Sequence, residues 1–102
     1  MGFDIKYQDE EDLKVSLYGD LDINTVDEFR QNVLREYEKT DKNLVFDLKN
    51  LDYIDSTGLG AIISVYKIVK EKNKEIYIKN SKKSIEKLFY ITELDKLFHI
   101  GE

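Results

Sequence analysis

Residues 51–60 read LDYIDSTGLG, and this stretch is the most informative part of the chain. It follows a strongly apolar run at residues 44–48, typical of a central β-strand, and leads into helical apolar spacing at residues 59–69. A strand therefore passes through a short acidic loop into a helix that starts near Ser56. Helix N-termini carry free N–H groups and the positive end of a dipole, and they favour anions such as phosphate. Ser56 is thus either a helix cap or a place where a phosphate is added and removed.

Apolar patterning on both sides of this stretch predicts the order of the remaining elements. Alternating residues predict two opening strands that pair as a hairpin, the second ending at Gly19. Three further segments have helical spacing, and two more have the pattern of short strands. The predicted order is β-β-α-β-α-β-α, followed by a short helical turn and a short final strand. Strands that alternate with helices indicate an α/β fold with helices packed on a mixed sheet.

Composition bounds the class of protein. The 102 residues fit one domain, and 41% apolar with 36% charged content is typical of a globular chain. The net charge of −5 argues against binding to nucleic acid or to an anionic membrane surface. No secretion signal or membrane-span pattern is seen, so we expect a cytoplasmic location.

Ser56 and Thr57 allow two interpretations. Serine and threonine are common N-caps, and such a cap contributes about 1 kcal/mol. The functional interpretation is that the hydroxyl is exposed to a partner, since Gly58 and Gly60 remove side chains that would block close approach by another backbone. Each glycine costs roughly 1 kcal/mol of helix stability relative to alanine. The residue types alone leave both interpretations open.

Asp22 and Asp55 each precede a predicted helix start. Acidic residues there complement the helix dipole, which is the simpler explanation. The sharper hypothesis is that both line one surface with Ser56. A phosphate would add about −1.5 to −2 charges to that acidic surface and displace a partner fitted to a neutral hydroxyl.

Motifs for catalysis are not found in the sequence. There is one histidine, His99, and no cysteine, so no metal-ligand set or thiolate chemistry is indicated. Ser56 does not stand in a Gly-x-Ser-x-Gly motif, and no phosphate-binding or dinucleotide glycine loop occurs. We therefore predict a protein without enzymatic activity, cofactor or metal.

Three segments together resemble a known family. The run from Asp55 to Gly60, between an apolar strand and an amphipathic helix, resembles the signature of the STAS domain, in particular of the small bacterial anti-sigma factor antagonists. The segment Tyr18–Asp22 is similar to the family's Gly-x-Leu-Asp element, and Ile85–Phe89 with Thr92–Leu94 to its third-helix ending. The resemblance spans about residues 3–100, which implies a single STAS domain over residues 1–102.

The resemblance implies a fold and a switch. The fold is a four- to five-stranded mixed sheet with helices mainly on one face. In such proteins the unphosphorylated form binds an anti-sigma factor that is also a serine kinase, which frees the sigma factor and so regulates transcription. A metal-dependent serine phosphatase reverses the modification. Carried onto this chain, Ser56 is the phosphoacceptor, and the partner-binding residues are Asp22, Asn24, Asp55, Ser56, Thr57, Gly58, Leu59 and Gly60.

Two points stay open at this level. Thr57 stands where some members have a second serine, so the sequence does not decide whether it is also modified. The alternative function is a structural or scaffolding STAS module of a larger signalling or transport complex, in which Ser56 is only a helix cap.

Overall fold

The computed structural model describes residues 2–101. Its elements follow the predicted order β-β-α-β-α-β-α with a final helical turn and strand. They are β1 (Asp4–Asp9), β2 (Leu13–Leu21), α1 (Val26–Tyr37), β3 (Leu44–Ile54), α2 (Ser56–Glu71), β4 (Ile76–Lys79), α3 (Lys83–Ile91), a 3-10 helix (Leu94–Lys96) and β5 (His99–Gly101).

The strands form one five-stranded sheet in chain order. β1 runs antiparallel to β2, as the hairpin predicts, and the remaining neighbours are parallel. Crossovers between parallel strands are right-handed, so three successive crossovers in one direction place all three helices on the same face. The prediction of a mixed sheet with helices mainly on one face is confirmed.

The hydrophobic core lies between this helical layer and the sheet. Alternate residues of β2 face it, and each helix contributes the apolar side of its periodic pattern. Aromatic rings join the layers, as where Phe29 of α1 lies 5.8 Å from Phe46 of β3 between ring centroids. The largest fully buried side chains are Tyr37, Phe29, Phe46, Phe89 and Phe98.

The opposite face of the sheet carries no helix and is polar. The apolar run at residues 44–48 predicts a strand covered on both faces, and the structure corrects this. Val45 is buried there by neighbouring side chains and borders a groove with Lys14 and Asp47. Those two form an ion pair at 3.5 Å, and the Asn80 amide donates to the same carboxylate at 3.2 Å. Polar pairing thus takes the place of a second layer.

Both strands that lead to the Ser56 region are longer than predicted. β2 continues past Gly19 to Leu21, and β3 continues past Leu48 to Ile54. Two register shifts interrupt their pairing, and Gly19, with φ of +94°, lies at one of them. Such bulges break the alternation on which strand prediction depends. The predicted acidic loop before the helix is therefore mostly strand, and only Asp55 remains between β3 and α2.

Lys82 supports the far end of β3. Because β4 ends at Lys79, the last residues of β3 have no strand on that side. The Lys82 ammonium donates to the carbonyl oxygens of Lys49 and Leu51, at 3.1 and 3.2 Å, and lies 3.3 Å from the Asp52 carboxylate. One side chain thus joins the start of α3 to the strand that leads to Ser56.

Candidate functional site

Asp55 is the N-cap of α2. Its Oδ1 accepts a hydrogen bond from the Gly58 N–H at 3.0 Å, and its carbonyl oxygen accepts one from the Leu59 N–H at 2.9 Å. A carboxylate at this position satisfies a free N–H and complements the helix dipole. The interpretation of Ser56 and Thr57 as the capping pair is therefore wrong, because the cap lies one residue earlier.

Ser56 is the first residue of α2, and its side chain is exposed. In the described part of the chain its hydroxyl takes part in no hydrogen bond, whereas Asp55 beside it does. Thr57 follows it and is half-buried. The Ser56 hydroxyl thus carries no structural task within the domain and is open to solvent.

Gly58 is required by the packing of the chain itself. A Cβ atom at Gly58 would lie 2.6 Å from the Leu21 carbonyl oxygen and 2.8 Å from the Cγ1 atom of Ile54. Both distances are shorter than a van der Waals contact, so only glycine lets α2 start this close to the ends of β2 and β3. The expectation that both glycines serve the approach of a partner is therefore corrected for Gly58.

Leu59 and Gly60 differ in what they contact. Leu59 belongs to the hydrophobic core, with 7% of its surface exposed. Gly60 is exposed, and a Cβ atom placed on it would meet nothing within 4 Å. Of the hexapeptide from Asp55 to Gly60, the outer surface is formed mainly by Ser56 and Gly60, with Asp55 and Thr57 partly accessible.

Asp22 and Asp55 follow neighbouring strand ends. Leu21 pairs with Ile54 in the parallel register, and the Asp55 N–H donates to the Leu21 carbonyl oxygen at 3.3 Å. Asp22 comes next after Leu21, and its Oδ1 accepts a hydrogen bond from the Asn24 N–H at 2.9 Å. Asn24 itself is exposed. The fold thus brings the predicted residues Asp22, Asn24 and Asp55 to the edge of the sheet where Ser56 lies.

Thr25 stabilises the turn between β2 and α1. It occupies the N-cap position of α1, but its side chain does not bond to the helix. Its hydroxyl accepts a hydrogen bond from the Asp22 N–H at 3.0 Å and donates one to the Asp20 carbonyl oxygen at 2.8 Å. These two bonds fix the backbone that presents Asp22 and Asn24.

Two apolar side chains near this edge were not predicted as part of the site. Ile23 is 68% exposed and Tyr53 is 51% exposed. Ile23 lies in the turn after β2, and Tyr53 pairs with Asp20 next to the end of β3. The sequence does not decide whether Tyr53 is buried or exposed. Isoleucine is usually buried, so the sequence gives no sign that Ile23 is exposed. Aromatic residues such as tyrosine are enriched in protein–protein interfaces.

A shallow acidic groove adjoins the same turn. It has a volume of about 410 Å³, and its lining includes Asp20, Asp22 and Asp52. Asp52 is partly neutralised by Lys82 at 3.3 Å. The surface around Ser56 is therefore negatively charged on its β2 side.

The remaining ionisable groups of interest lie elsewhere. His99 of β5 stacks on Tyr77, with 4.6 Å between ring centroids, and lies 3.2 Å from the Glu75 carboxylate. Among residues 2–101 no three His, Cys, Asp or Glu side chains are grouped closely enough to hold a metal ion. Within the same residues no helix combines the length and apolar character needed to cross a membrane.

The model of one family, the STAS domain, matches residues 5–102. This chain belongs to the STAS domain family. A protein of Staphylococcus aureus (strain NCTC 8325 / PS 47) named anti-sigma-B factor antagonist is 34% identical to it over 89 residues, which are 87% of this chain and 82% of that protein. A Staphylococcus epidermidis protein of the same name is 33% identical over the same length.

Solved structures share the fold. An anti-sigma factor antagonist of Thermotoga maritima superposes with a TM-score of 0.85 at 24% identity, over 96% of this STAS domain and 86% of that chain. The Bacillus cell fate determinant SpoIIAA in its phosphorylated form superposes with a TM-score of 0.73 at 17% identity, over 99% and 92% of the two chains. At these identities the likeness establishes the arrangement of strands and helices.

Proposed function

We propose that this STAS domain is a phosphoserine-switched anti-sigma factor antagonist with Ser56 as its phosphoacceptor. The observation that carries the proposal is that Asp55, and not Ser56, caps α2. Asp55 caps α2, so the exposed Ser56 hydroxyl is available to another protein's active site. The names of the Staphylococcus relatives support the class of partner, which is an anti-sigma factor.

The charges around Ser56 explain how a phosphate would act. The Asp55 carboxylate already occupies the N-terminal N–H of Gly58, and Asp22 follows the adjacent strand end. A phosphate on Ser56 adds about −1.5 to −2 charges next to these carboxylates. Because the cap is already filled, we expect the phosphate to stay on the surface and to repel a partner directly, without refolding α2.

The proposed cycle needs two enzymes that act on this chain. The anti-sigma factor itself is the serine kinase, and a metal-dependent serine phosphatase restores the hydroxyl. The domain contributes recognition and no turnover of its own, and it works in the cytoplasm with no direct contact to nucleic acid or membrane. In the unphosphorylated state it holds the anti-sigma factor, and the released sigma factor reaches RNA polymerase.

The phosphoacceptor is tested by incubating the purified chain with the kinase-type anti-sigma factor of its source organism and ATP. Mass spectrometry is expected to place one phosphate on Ser56 in the wild type and in Thr57→Ala, and none in Ser56→Ala. Phosphate on Thr57 alone would reassign the acceptor. If the anti-sigma factor binds the chain but no residue is phosphorylated, the proposed switch is wrong.

The charge argument is tested by binding. Ser56→Ala leaves position 56 uncharged and is expected to bind the anti-sigma factor regardless of ATP. Ser56→Asp is expected to bind at least about tenfold more weakly, which corresponds to about 1.4 kcal/mol. Ser56→Asn is the matched control, since it has the size of aspartate without the charge. Equal binding by Asp and Asn variants would contradict repulsion as the mechanism.

A further inference from the structure

The two glycines of α2 differ in whether the domain has room for a side chain at their position. Gly58 cannot carry a side chain because the Leu21 carbonyl oxygen lies against it. Gly60 has open space around it and no left-handed backbone angle that would call for glycine. Glycine inside a helix is less stable than alanine, so the isolated domain would fold better with Ala at this position. Nothing within the domain therefore accounts for Gly60.

Gly60 lies one helical turn after Ser56, on the same side of α2. Residues four apart on a helix are neighbours on its surface, and both of these are exposed. The Gly60 carbonyl oxygen accepts a hydrogen bond from the Ser64 hydroxyl at 3.2 Å. A partner that contacts Ser56 along this side of α2 therefore also lies beside Gly60.

The same half of α2 has no charged side chain. The first eleven residues, from Ser56 to Tyr66, are all neutral, and Lys67 is the first charge. By contrast, α1 carries Asp27 and Glu28 in its first turn, and α3 carries Glu86. Charged residues are depleted in the buried centres of protein interfaces and enriched on free surfaces. Five of these eleven residues are buried in the domain itself, but the exposed Ser56 and Gly60 and the half-buried residues beside them are also neutral. The accessible side of this half of α2 therefore has the composition of a covered surface.

We propose that Gly60 is the point where the anti-sigma factor packs its main chain against α2. This inference rests on the proposed function and identifies which part of the surface makes the tightest contact. The partner segment is uncharged, since it covers the neutral half of α2, and it reaches van der Waals distance of the Gly60 Cα. A side chain at position 60 would hold the partner away from Ser56 by its own thickness.

The test is a comparison of Gly60→Ala and Gly60→Leu in binding to the purified kinase-type anti-sigma factor of the source organism. Overpacking of one methyl group predicts about tenfold weaker binding for Gly60→Ala, and the larger side chain predicts a loss of about 100-fold. Thermal unfolding should show Gly60→Ala at least as stable as the wild type, which excludes misfolding. Lys67→Ala, two turns further along the same side, is the surface control and should bind nearly as the wild type does.

Several results would overturn the inference. Binding of Gly60→Ala within about twofold of the wild type would remove the contact. An equal loss for Ala and Leu would point to helix stiffness in place of close packing, since both residues favour helix to a similar degree. If the wild type neither binds nor is phosphorylated, the proposed function fails and the inference falls with it. Phosphorylation of Ser56 with unimpaired binding of both variants would reject the inference alone.

Discussion

The carbonyl oxygen of Leu21 lies 2.6 Å from the position that a Cβ atom on Gly58 would take. This close approach is possible only because Gly58 has no side chain. It also places Asp22, which follows Leu21, next to Asp55, which precedes α2. The glycine therefore lets α2 begin beside the strand end that Asp22 follows.

Substitution at Gly58 should separate packing from helix propensity. Gly58→Ala is expected to lower the free energy of unfolding by about 1–3 kcal/mol, because the methyl group overlaps Leu21 and Ile54. Gly60→Ala in the same helix is the matched control and should raise it by about 0.5–1 kcal/mol. Urea unfolding measures both. If both substitutions stabilised the domain, the backbone around Leu21 would be able to move aside for a methyl group, and the prediction would be wrong.

Substitution of Asp55 should destabilise the domain, because Asp55 caps α2, whereas substitution of Ser56 should not. Asp55→Ala is expected to lower the free energy of unfolding by about 1 kcal/mol, whereas Asp55→Ser retains a capping oxygen and most of that stability. Ser56→Ala should change stability by less than about 0.5 kcal/mol, because the hydroxyl holds nothing in the described structure. Denaturant midpoints compare the three variants. If Ser56→Ala lost more unfolding free energy than Asp55→Ala, Ser56 and not Asp55 would be the capping residue.

Two tyrosines should respond to loss of the hydroxyl in opposite ways. The Tyr7 hydroxyl is buried without a hydrogen-bond partner in the described chain, whereas the Tyr37 hydroxyl donates to the Lys42 carbonyl oxygen at 2.7 Å. Tyr7→Phe is therefore expected to raise the free energy of unfolding by about 1 kcal/mol, and Tyr37→Phe to lower it by a similar amount. Thermal melts of both variants would show this, and a shift in the same direction would contradict it.

Alkaline pH gives a second test of Tyr7. Burial, with a smaller contribution from Glu36 and partly offset by Arg35, raises the pKa of Tyr7 to about 12. A phenol whose pKa is higher in the folded state contributes stability below its unfolded pKa of about 10 and loses it as pH rises toward 12. The wild type should therefore lose more stability than Tyr7→Phe over this interval, as measured by urea unfolding. Parallel losses would show that Tyr7 titrates normally.

Acid pH tests the polar face of the sheet through Asp47. Burial alone would raise the pKa of Asp47, but hydrogen bonds from the Lys49 N–H and the Asn80 amide, with the Lys14 charge, hold it below its usual value. The stability that this carboxylate contributes is present above its unfolded pKa of about 3.9 and is lost as pH falls through the lower folded pKa. Asp47→Asn should be less stable at neutral pH and should decline less steeply in acid.

A matched control is available for Asp47. Asp27 pairs with Arg30 on the surface of α1, and 84% of the Asp27 side chain is exposed. Exposed pairs contribute about 0–1 kcal/mol, so Asp27→Asn should leave the acid profile nearly unchanged. Unfolding midpoints at neutral pH and at about pH 3 distinguish the two variants. Identical acid profiles for Asp47→Asn and wild type would remove Asp47 from the ion-pair network.

The sequence predicted the fold well where apolar periodicity is clean. Helices α1 and α2 and the paired opening strands have regular patterns, because a single face of each is buried. Prediction was poor at the ends of β2 and β3. Bulges there break the alternation, and pairing with a distant strand extends both beyond the residues that look apolar. The capping residue was missed by one position for the same reason, since the strand end and helix start meet at Asp55.

The sequence by itself determined that Ser56 follows an aspartate at the start of a helix, since residue order and periodicity are local properties. Only the tertiary structure decided what each residue of the hexapeptide does. The approach of Leu21 explains Gly58, the core takes up Leu59, and open space surrounds Gly60. These assignments depend on parts of the chain far apart in sequence that pack at van der Waals distance, and no local pattern records such contacts.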